Sequence, residues 1–367
     1  MNNKLRILVA PLDWGIGHST RCVPIIRELL RQGAEVYIAS NGRPLKVLQR
    51  EFPQLPSLTL PRYDVKYPFR SIMLNMLLQL PRLLWAIFAE HRMVDRWVRH
   101  YGLDGIITDN RLGCFSRRVP TVFITHQVHL KAPDENIARF TNRINHSFMR
   151  RFGRCWIPDW DNAQNLSGTL SRPSAHPKTV YTGPLTRLQP LRAEIRYDAL
   201  VLLSGPEPQR TYVEKAILKQ AAGLPYKMLL VQGKPETDQA IEGPENVQIV
   251  PFLDAPELSR AIAESRMVVC RSGYSTVMDL AVLGKRALYI PTPGQTEQEY
   301  LAEYLNEKGA SLWQSQQDIR LSEGIAGVLA LPEPDMSLVN TRLLEMAVRD
   351  FLIAASSSED QMSWVPA

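Results

Sequence analysis

The chain has 367 residues, of which 45% are hydrophobic and 22% are charged, and its net charge is +6. This size and composition predict a globular protein with two domains and exclude a disordered or fibrous chain. None of its four cysteines belongs to a Cys-x-x-Cys pair, which argues against a zinc site or a disulfide scaffold. The composition therefore predicts a protein of a reducing, cytoplasmic compartment with no bound metal.

The charge is distributed unevenly between the two halves of the chain. Residues 1–196 carry 29 Lys and Arg against 14 Asp and Glu, whereas residues 197–367 carry 14 against 23. The basic half suggests an anionic partner, such as a membrane surface, a phospholipid or a nucleic acid. Ordinary solvated surface charge is the alternative. No aromatic and basic RNA-binding motif stands out, so nucleic acid is not an expected partner.

The first half alternates buried-type strands with helical patterns. The N-terminus has only a short apolar run before a Gly-rich turn, which predicts a first strand and not a signal peptide. Pro24 is tolerable in the first helix if it lies in the first turn of that helix. The predicted strands are 5–10, 35–40, 104–109, 121–126 and 155–159, and the predicted helices are one that ends near 33 and one over 134–151.

The second half repeats the alternation after a linker near 184–196. Strands separated by helices predict a parallel sheet, so the expected fold is α/β, with two Rossmann-like domains facing a cleft. The expected domains are 1–185, 197–335, and a C-terminal segment 336–367 whose helix packs back toward the first domain and whose tail is frayed. The predicted strands are 199–205, 227–233, 246–254, 267–270 and 287–291, and the predicted helices are one that ends near 223 and those over 256–264, 275–284, 296–310 and 338–354.

An apolar segment, 62–101, is inserted between the early strands and is interrupted by polar residues and by Pro81. It is therefore a poor candidate for a transmembrane helix. Its Arg and His residues flank Leu, Met, Trp and Phe, as in helices that lie in a membrane interface. Two other interpretations stay open, namely a buried helix pair of the first domain and the wall of an apolar acceptor pocket.

The turn PLDWGIGH (11–18) combines glycines with a candidate catalytic base. Gly15 and Gly17 let the backbone approach a ligand at the N-terminus of a helix, which favours negative charge. His18, if neutral, can remove a proton from a hydroxyl. Asp109, at the end of another predicted strand, is expected to orient His18, and Asp13 is the rival base. Local backbone capping by these side chains is the alternative.

In the second half, polar loops follow several strands at what should be one edge of the sheet, where ligands bind in open α/β sheets. Arg271 and the helix N-terminus at Ser275 are expected to hold a diphosphate. Asp279 is expected to accept hydrogen bonds from ribose hydroxyls. Alternatively, the carboxylates of Asp279 and Glu299 only stabilise the N-termini of their own helices. The residues expected to bind this phosphate- and ribose-containing ligand are Gly15, Gly17, Ser204, Gly205, Phe252, Leu253, Arg271, Ser272, Gly273, Tyr274, Ser275, Asp279, Gln295, Gln298 and Glu299.

The run VVCRSGYSTVMDLAVLGKRALYIPTPGQTEQEY (268–300) resembles the donor domain of GT-B glycosyltransferases. It is most similar to the family that adds N-acetylglucosamine to the lipid-linked muramoyl-pentapeptide of peptidoglycan synthesis. The resemblance implies that Asp279 binds ribose in place of a family glutamate. It also implies that Gln298 and Glu299 contact the donor sugar in place of two glutamines, and that Phe252 and Leu253 hold uracil. GIGHSTRC also looks like the UDP-sugar hydrolase of pseudaminic acid synthesis, whose histidine at this place is catalytic.

These observations predict an inverting, metal-independent hexosyltransferase that uses a nucleotide sugar, UDP-linked, as a co-substrate and needs no other cofactor. Its acceptor is expected to be a hydroxyl, lipid-linked or other. The expected location is the cytoplasm, with peripheral contact to the inner face of the cell membrane left open. The alternatives are a nucleotide-sugar hydrolase and a non-catalytic protein that binds nucleotide sugars or lipids.

Overall fold

A computed structural model describes residues 4–63, 72–131, 134–234, 241–336, 342–356 and 364. Most of the predicted frayed tail and residues 64–71 of the inserted segment lie outside these described residues. Trp364, which belongs to that tail, is buried, and its ring centroid lies 5.9 Å from that of Phe351, so the tail is not frayed at this residue. Contacts divide the chain into two compact units. Unit 1 consists of Met1–Leu185 together with Asn340–Ala367, and unit 2 consists of Thr186–Val339.

Unit 1 contains a parallel sheet of seven strands among its described residues. Their order in the sheet is β3-β2-β1-β4-β5-β6-β7, so β1 lies near the middle between β2 and β4. β1, β4 and β5 are buried on both faces, which explains their continuous apolar sequences. The strands are β1 (Arg6–Pro11), β2 (Glu35–Ser40), β3 (Ser57–Thr59), β4 (Gly105–Asp109), β5 (Thr121–Ile124), β6 (Arg154–Ile157) and β7 (Thr179–Tyr181).

The helices of unit 1 differ from the sequence analysis in the position of Pro24 and in the form of the inserted segment. α1 begins directly after Gly15, so Pro24 lies in the interior of the helix and not in its first turn. A proline there leaves the carbonyl four residues earlier without its helical partner. The described part of the inserted segment is one continuous helix, α3, and not a helix pair. The helices are α1 (Ile16–Arg31), α2 (Gly42–Glu51), α3 (Ile72–Tyr101), α4 (Glu135–Met149) and α10 (Arg342–Ser356).

α3 is amphipathic in its described side chains. Ile87, Val94 and Val98 are buried in unit 1. Trp97, one of the aromatic residues on which the prediction of a membrane-interface helix was based, packs against the core that contains Val94 and Val98. The opposite face exposes Trp85 and other apolar side chains. Within the described part of the chain, no helix has an apolar stretch sufficient to cross a bilayer.

The C-terminal helix α10 packs against the sheet of unit 1, the unit to which it belongs. The ring of Phe351 is fully buried and meets Trp156 edge-on, with 6.2 Å between ring centroids. A Cβ at Gly105 would stand 2.6 Å from this ring, so the glycine allows the helix to lie close to the sheet. Gln32 also donates a hydrogen bond to the carbonyl of Glu345 on α10.

Unit 2 repeats the architecture with a second parallel sheet. Its described strands follow the order β10-β9-β8-β11-β12-β13, which places β8 and β11 at the centre. The strands are β8 (Tyr197–Leu202), β9 (Met228–Val231), β10 (Val247–Val250), β11 (Ser265–Cys270), β12 (Arg286–Tyr289) and β13 (Leu312–Trp313). The helices are α5 (Gln209–Ala221), α6 (Ala255–Ala263), α7 (Tyr274–Val282), α8 (Thr296–Glu307) and α9 (Leu321–Ala330).

Candidate active site

The turn between β1 and α1 lies at the carboxyl edge of the sheet of unit 1. β1 and β4 are neighbours, with Pro11 opposite Asp109, and the amide of Leu12 donates to the carbonyl of Asp109 at 2.9 Å. Gly15 precedes the helix with φ 144°, a conformation that L side chains rarely adopt. This glycine turns the chain sharply, so that the first turn of α1 faces the end of β4.

His18 and Asp109 form a hydrogen-bonded pair at this edge. His18 lies in the first turn of α1, and its Nδ1 is 3.0 Å from Oδ1 of Asp109. The imidazole side chain is 20% exposed, whereas the carboxylate is fully buried. The structure therefore brings together two of the three predicted catalytic residues.

The protonation of this pair follows from the charges around Asp109. Burial alone would raise the pKa of Asp109, but the ion pairs with Arg21 and His18 outweigh it and lower the pKa to about 2. Nδ1 of His18 lies 3.0 Å from Oδ1 of Asp109 and 2.8 Å from Nη2 of Arg21. A carboxylate only accepts and a guanidinium only donates, so a bond to Asp109 needs a proton on Nδ1 and a bond from Arg21 needs a lone pair there. In the neutral tautomer that donates to Asp109, Nε2 keeps its lone pair and can accept a proton from a hydroxyl.

Arg21 is a site residue that the sequence analysis missed. It lies one turn after His18 on α1, is buried, and donates to both carboxylate oxygens of Asp109. Its Nη1 also lies 3.2 Å from Nδ1 of His126. The sequence could have indicated this role, because Arg21 lies three residues after His18 and residues at this spacing share one face of a helix.

Asp13 belongs to a different cluster. Its Oδ1 lies 3.7 Å from Nη1 of Arg111, and neither atom has a hydrogen-bond partner in the part of the chain that the structure describes. Arg111 is buried and paired with the buried Glu90, which also accepts from the hydroxyl of Tyr63. No described contact joins Asp13 to the His18–Asp109 pair, so its role as rival base stays a prediction.

The predicted donor loops of unit 2 follow adjacent strands at one edge. Ser204 and Gly205 follow β8, and Gly205 adopts φ 98° beside the hydroxyl of Thr292 in the loop after β12. Gly273 is the N-cap of α7, and a Cβ added there would meet nothing within 4 Å. The space above this helix N-terminus would allow a ligand to approach the backbone closely.

Arg271 follows β11, as the sequence predicts, but its side chain is bonded to the protein. The side chain is only 4% exposed, and burial lowers its pKa to about 10. Its guanidinium donates to the carbonyls of Ile290, Pro291 and Gln209 and to the side chain of Gln316. These bonds join three segments of unit 2, so the geometry favours a structural role over the predicted contact with a diphosphate.

Gln298 and Glu299 bond to the loop after β12. The side-chain oxygen of Gln298 accepts from the amide of Thr292 at 2.9 Å, and its nitrogen donates to Gln295 at 2.6 Å. Glu299 accepts from the amide of Gly294 at 2.9 Å. The hydroxyl of Ser272 donates to the carbonyl of Gln298 at 2.7 Å, which connects the loops before α7 and α8. These side chains shape the loop, and their contact with a sugar stays a prediction.

Asp279 lies in α7 and is partly buried. Burial raises the pKa of its carboxyl to about 7, although the hydrogen bond from Thr186 and the charge of Arg187 act in the opposite direction. The carboxyl of Asp279 is therefore more easily protonated than an ordinary aspartate. Its predicted contact with a ribose would compete with the bond from Thr186.

The predicted base-binding loop follows β10. The ring of Phe252 is 41% exposed and that of Tyr274, at the start of α7, is buried. Asp254 caps α6 through a capping box with Glu257, which fixes the end of this loop. Phe252 and Leu253 are thus presented on a braced loop, and their contact with uracil stays a prediction.

The comparisons with known proteins agree with this architecture. Residues 210–343 match the glycosyltransferase family 28 C-terminal domain. The chain is 24% identical to an uncharacterized glycosyltransferase of Methanopyrus kandleri over 347 residues, which cover 88% of this chain and 97% of that protein. The crystal structure of MurG from Acinetobacter baumannii aligns with a TM-score of 0.62 and 14% identity, covering 96% of this chain and 100% of that chain.

This chain is a glycosyltransferase with the GT-B fold, and the prediction of two Rossmann-like units with parallel sheets is confirmed. The predicted similarity to the peptidoglycan transferases is confirmed as well. A stretch of 102 residues is 35% identical to the UDP-N-acetylglucosamine–N-acetylmuramyl-(pentapeptide) pyrophosphoryl-undecaprenol N-acetylglucosamine transferase of Cupriavidus necator, covering 27% of this chain and 26% of that enzyme. These comparisons do not favour the hydrolase or the non-catalytic alternative.

Proposed function

We propose that this glycosyltransferase transfers a hexose from a UDP-sugar to a hydroxyl of a lipid-linked acceptor, with inversion and without a metal ion. The observation that carries the proposal is the hydrogen bond of 3.0 Å between Nδ1 of His18 and the buried Asp109. In the tautomer in which Nδ1 donates to this carboxylate, Nε2 can accept a proton. A partly exposed base held by a buried carboxylate suits proton removal from an acceptor hydroxyl.

The proposed reaction is a single displacement. Nε2 of His18 takes the proton of the acceptor hydroxyl while its oxygen forms a bond to the anomeric carbon. The bond between that carbon and the diphosphate oxygen breaks, and UDP leaves with the electron pair. The positive end of the α7 dipole would favour the negative charge that develops on the leaving group.

A uridine donor is supported by the loops of unit 2 and by the similarity to a transferase whose name specifies UDP-N-acetylglucosamine. The exposed Phe252 offers an aromatic face next to the edge of the sheet. Asp279 could accept hydrogen bonds from the ribose hydroxyls once it is ionised. Arg271 is omitted from the proposed ligands because its guanidinium is bonded to the protein.

The test is a donor screen with UDP-, GDP- and dTDP-sugars, each with and without a lipid extract, followed by mass spectrometry of the products. A hexose added to a lipid component, only from the UDP-sugar, is the expected result, with the opposite anomeric configuration by NMR. A retained configuration, or a product formed equally from GDP- or dTDP-sugars, would contradict the proposal.

Peripheral membrane contact is the second part of the proposal, and α3 supports it. Leu84, Trp85 and Phe88 are 45%, 68% and 55% exposed, and their spacing places them on one side of the helix. The guanidinium carbon of Arg92 lies 4.9 Å from the centroid of the Phe88 ring. Exposed apolar side chains next to cations are typical of helices that lie in an anionic membrane interface.

Vesicle co-sedimentation tests this contact. Binding should increase with the fraction of anionic lipid, weaken with salt, and weaken further when Leu84, Trp85 and Phe88 are replaced by Ser. Leu83 is unsuitable for this test because it packs against the core of unit 1. Protein that stays in the supernatant with anionic vesicles at low salt would contradict peripheral binding, without affecting the proposed chemistry.

A further inference from the structure

A basic groove lies along α4, away from the residues of the candidate active site. Its volume is about 780 Å³, and none of its lining residues contributes to the His18–Asp109 pair or to the loops of unit 2. We call it the α4 groove. Its lining residues are His129, Glu135, Ala138, Arg139, Asn142, Arg143, His146, Ser147 and Arg150.

The cations of the α4 groove outnumber its carboxylate. Arg139, Arg143 and Arg150 follow one another at helical spacing, so they lie on the same side of α4. Arg139 is paired with Glu135 at 3.1 Å. Arg143 and Arg150 are exposed and have no ion-pair partner among the described residues. Two guanidinium groups are thus available to an anion in the same groove.

The wall of the α4 groove is braced by hydrogen bonds. Nε2 of His129 donates to the carbonyl of Pro173 at 2.6 Å, and Nε2 of His146 donates to the carbonyl of Val128 at 2.9 Å. The two rings meet edge-on, with 5.2 Å between centroids. Because carbonyls only accept, each ring keeps its proton on Nε2 and presents Nδ1 as a second polar atom.

The segment before α4 is fixed to the helix as well. The side-chain oxygen of Asn142 accepts from the amide of Leu130 at 2.7 Å, and its nitrogen donates to the carbonyl of Leu130 at 3.1 Å. The groove therefore has a defined shape and is not merely a row of arginines on a solvated helix. Phe140, which follows Arg139 on the same helix but is not among the lining residues, is 61% exposed.

We propose that the α4 groove binds the phosphate group of a lipid headgroup. Guanidinium groups recognise phosphate oxygens through paired, charge-assisted hydrogen bonds, and two of them are available here. The exposed Phe140 is suited to the apolar part of the same molecule. Two sources share this chemistry, namely an anionic phospholipid and the diphosphate of a lipid-linked sugar. Binding in the groove does not depend on the transfer reaction, so it is measured without turnover.

The test uses histidine-labelled full-length protein and NMR of the imidazole resonances. Inorganic pyrophosphate is the soluble probe, and the rings of His129 and His146 report on the groove even if pyrophosphate also binds in unit 2. We expect saturable shifts of both rings and none for His100, an exposed histidine on α3. Absence of a saturable shift at low ionic strength would overturn the proposal.

Variants make the test specific to the groove. Arg143→Gln and Arg150→Gln should each weaken pyrophosphate binding by roughly three- to tenfold, as expected for the loss of one partly solvated charged contact. Glu135→Gln should strengthen it, since it removes a negative charge from the groove. Arg50→Gln, which removes an exposed charge from α2, is the matched control. Equal losses in Arg50→Gln and Arg143→Gln would show diffuse attraction and overturn a defined site.

Vesicles distinguish the two sources. The ring resonances are followed with vesicles of phosphatidylcholine alone, with added phosphatidylglycerol, and with added polyprenyl diphosphate. Perturbation by phosphatidylglycerol would identify phospholipid headgroups, and perturbation by polyprenyl diphosphate alone would identify the diphosphate of a lipid-linked sugar. If neither vesicle perturbs His129 and His146, the lipid assignment is wrong.

Discussion

The turn before α1 and the loop before α7 have the same local architecture but use their polar residues differently. Each follows a central strand of a parallel sheet and leads into a helix N-terminus. In unit 1 the helix carries His18, whose partner Asp109 is buried and ionised. In unit 2 the nearby polar side chains, including Arg271 and Gln298, are bonded to protein groups of their own unit.

The difference shows how one strand–turn–helix motif can serve chemistry or binding. Around His18, the contacts with Asp109 and Arg21 hold the ring by its Nδ1 atom. Around α7, they hold the loops in place and keep open space above Gly273. The four predictions below challenge this distinction, from the largest expected effect to the smallest.

Replacing the proposed base tests the chemical role of the first turn. His18→Ala should lower turnover by about 10²–10⁴-fold, which is the usual contribution of a positioned proton acceptor. Donor binding should stay nearly unchanged, because the donor is assigned to the loops of unit 2. Steady-state kinetics and calorimetric titration with UDP measure the two effects. His100→Ala is the control, and near-normal turnover in His18→Ala would move the base elsewhere, with Asp13 as the next candidate.

Removing the charge of Asp109 tests the buried ion pair. Asp109→Asn should lower the free energy of unfolding by about 3–5 kcal/mol, because Arg21 would remain buried without a counter-charge. Adding Arg21→Met should restore much of this stability but not the turnover. Urea denaturation and kinetics provide the measurements. If Asp109→Asn alone is as stable as the wild type, Arg21 must find another partner, such as His126, and the predicted cost of the unpaired charge is wrong.

Two glycine variants compare the turns directly. Gly15→Ala should lower the free energy of unfolding by about 1–3 kcal/mol and lower turnover, since alanine resists the φ of 144° even though space for a Cβ is available. Gly273→Ala should leave stability within about 0.5 kcal/mol, because φ is −68° there and the space is open. It should weaken donor binding if the ligand approaches this backbone. Equal effects of the two variants on stability would contradict the comparison.

The pH dependence of donor binding tests Asp279. An ionised carboxylate accepts hydrogen bonds from ribose hydroxyls better than a neutral carboxyl, so affinity for UDP-glucose should rise as the pH increases through about 7. The stability contribution has the opposite sign: the folded-state pKa is raised, so the free energy of unfolding should fall between about pH 4 and pH 7. Calorimetric titration and urea denaturation across this range measure both.

Matched variants assign this pH dependence to one group. Asp279→Asn should flatten both profiles. Thr186→Val removes a hydrogen bond that lowers the pKa of Asp279, so the midpoint should move to higher pH. A wild-type affinity that does not change between pH 6 and pH 8 would contradict the role assigned to Asp279.

Several elements were predictable because their signal is local. Buried strands such as β1 and β4 are short apolar runs that end at Pro11 and Asp109, and the alternation with helical patterns implies parallel sheets. Short or weakly patterned elements were missed. α2, β3, β7, β13 and α9 had no assignment, because a strand of two or three residues or a Gly-containing helix carries little periodicity of its own.

The sequence by itself determined the α/β class, the similarity to GT-B glycosyltransferases, the place of His18 after the first strand and that of Asp109 at the end of another strand. Each of these depends on periodicity or on a contiguous motif. Only the tertiary structure decided that Arg21 joins Asp109, that Arg271 is bonded to carbonyls of its own unit and that Trp97 packs inward. The physical reason is that a charged or aromatic side chain has the same letter whether its partner is a ligand or the protein. Its role depends on burial and on partners distant in sequence, which local patterns do not encode.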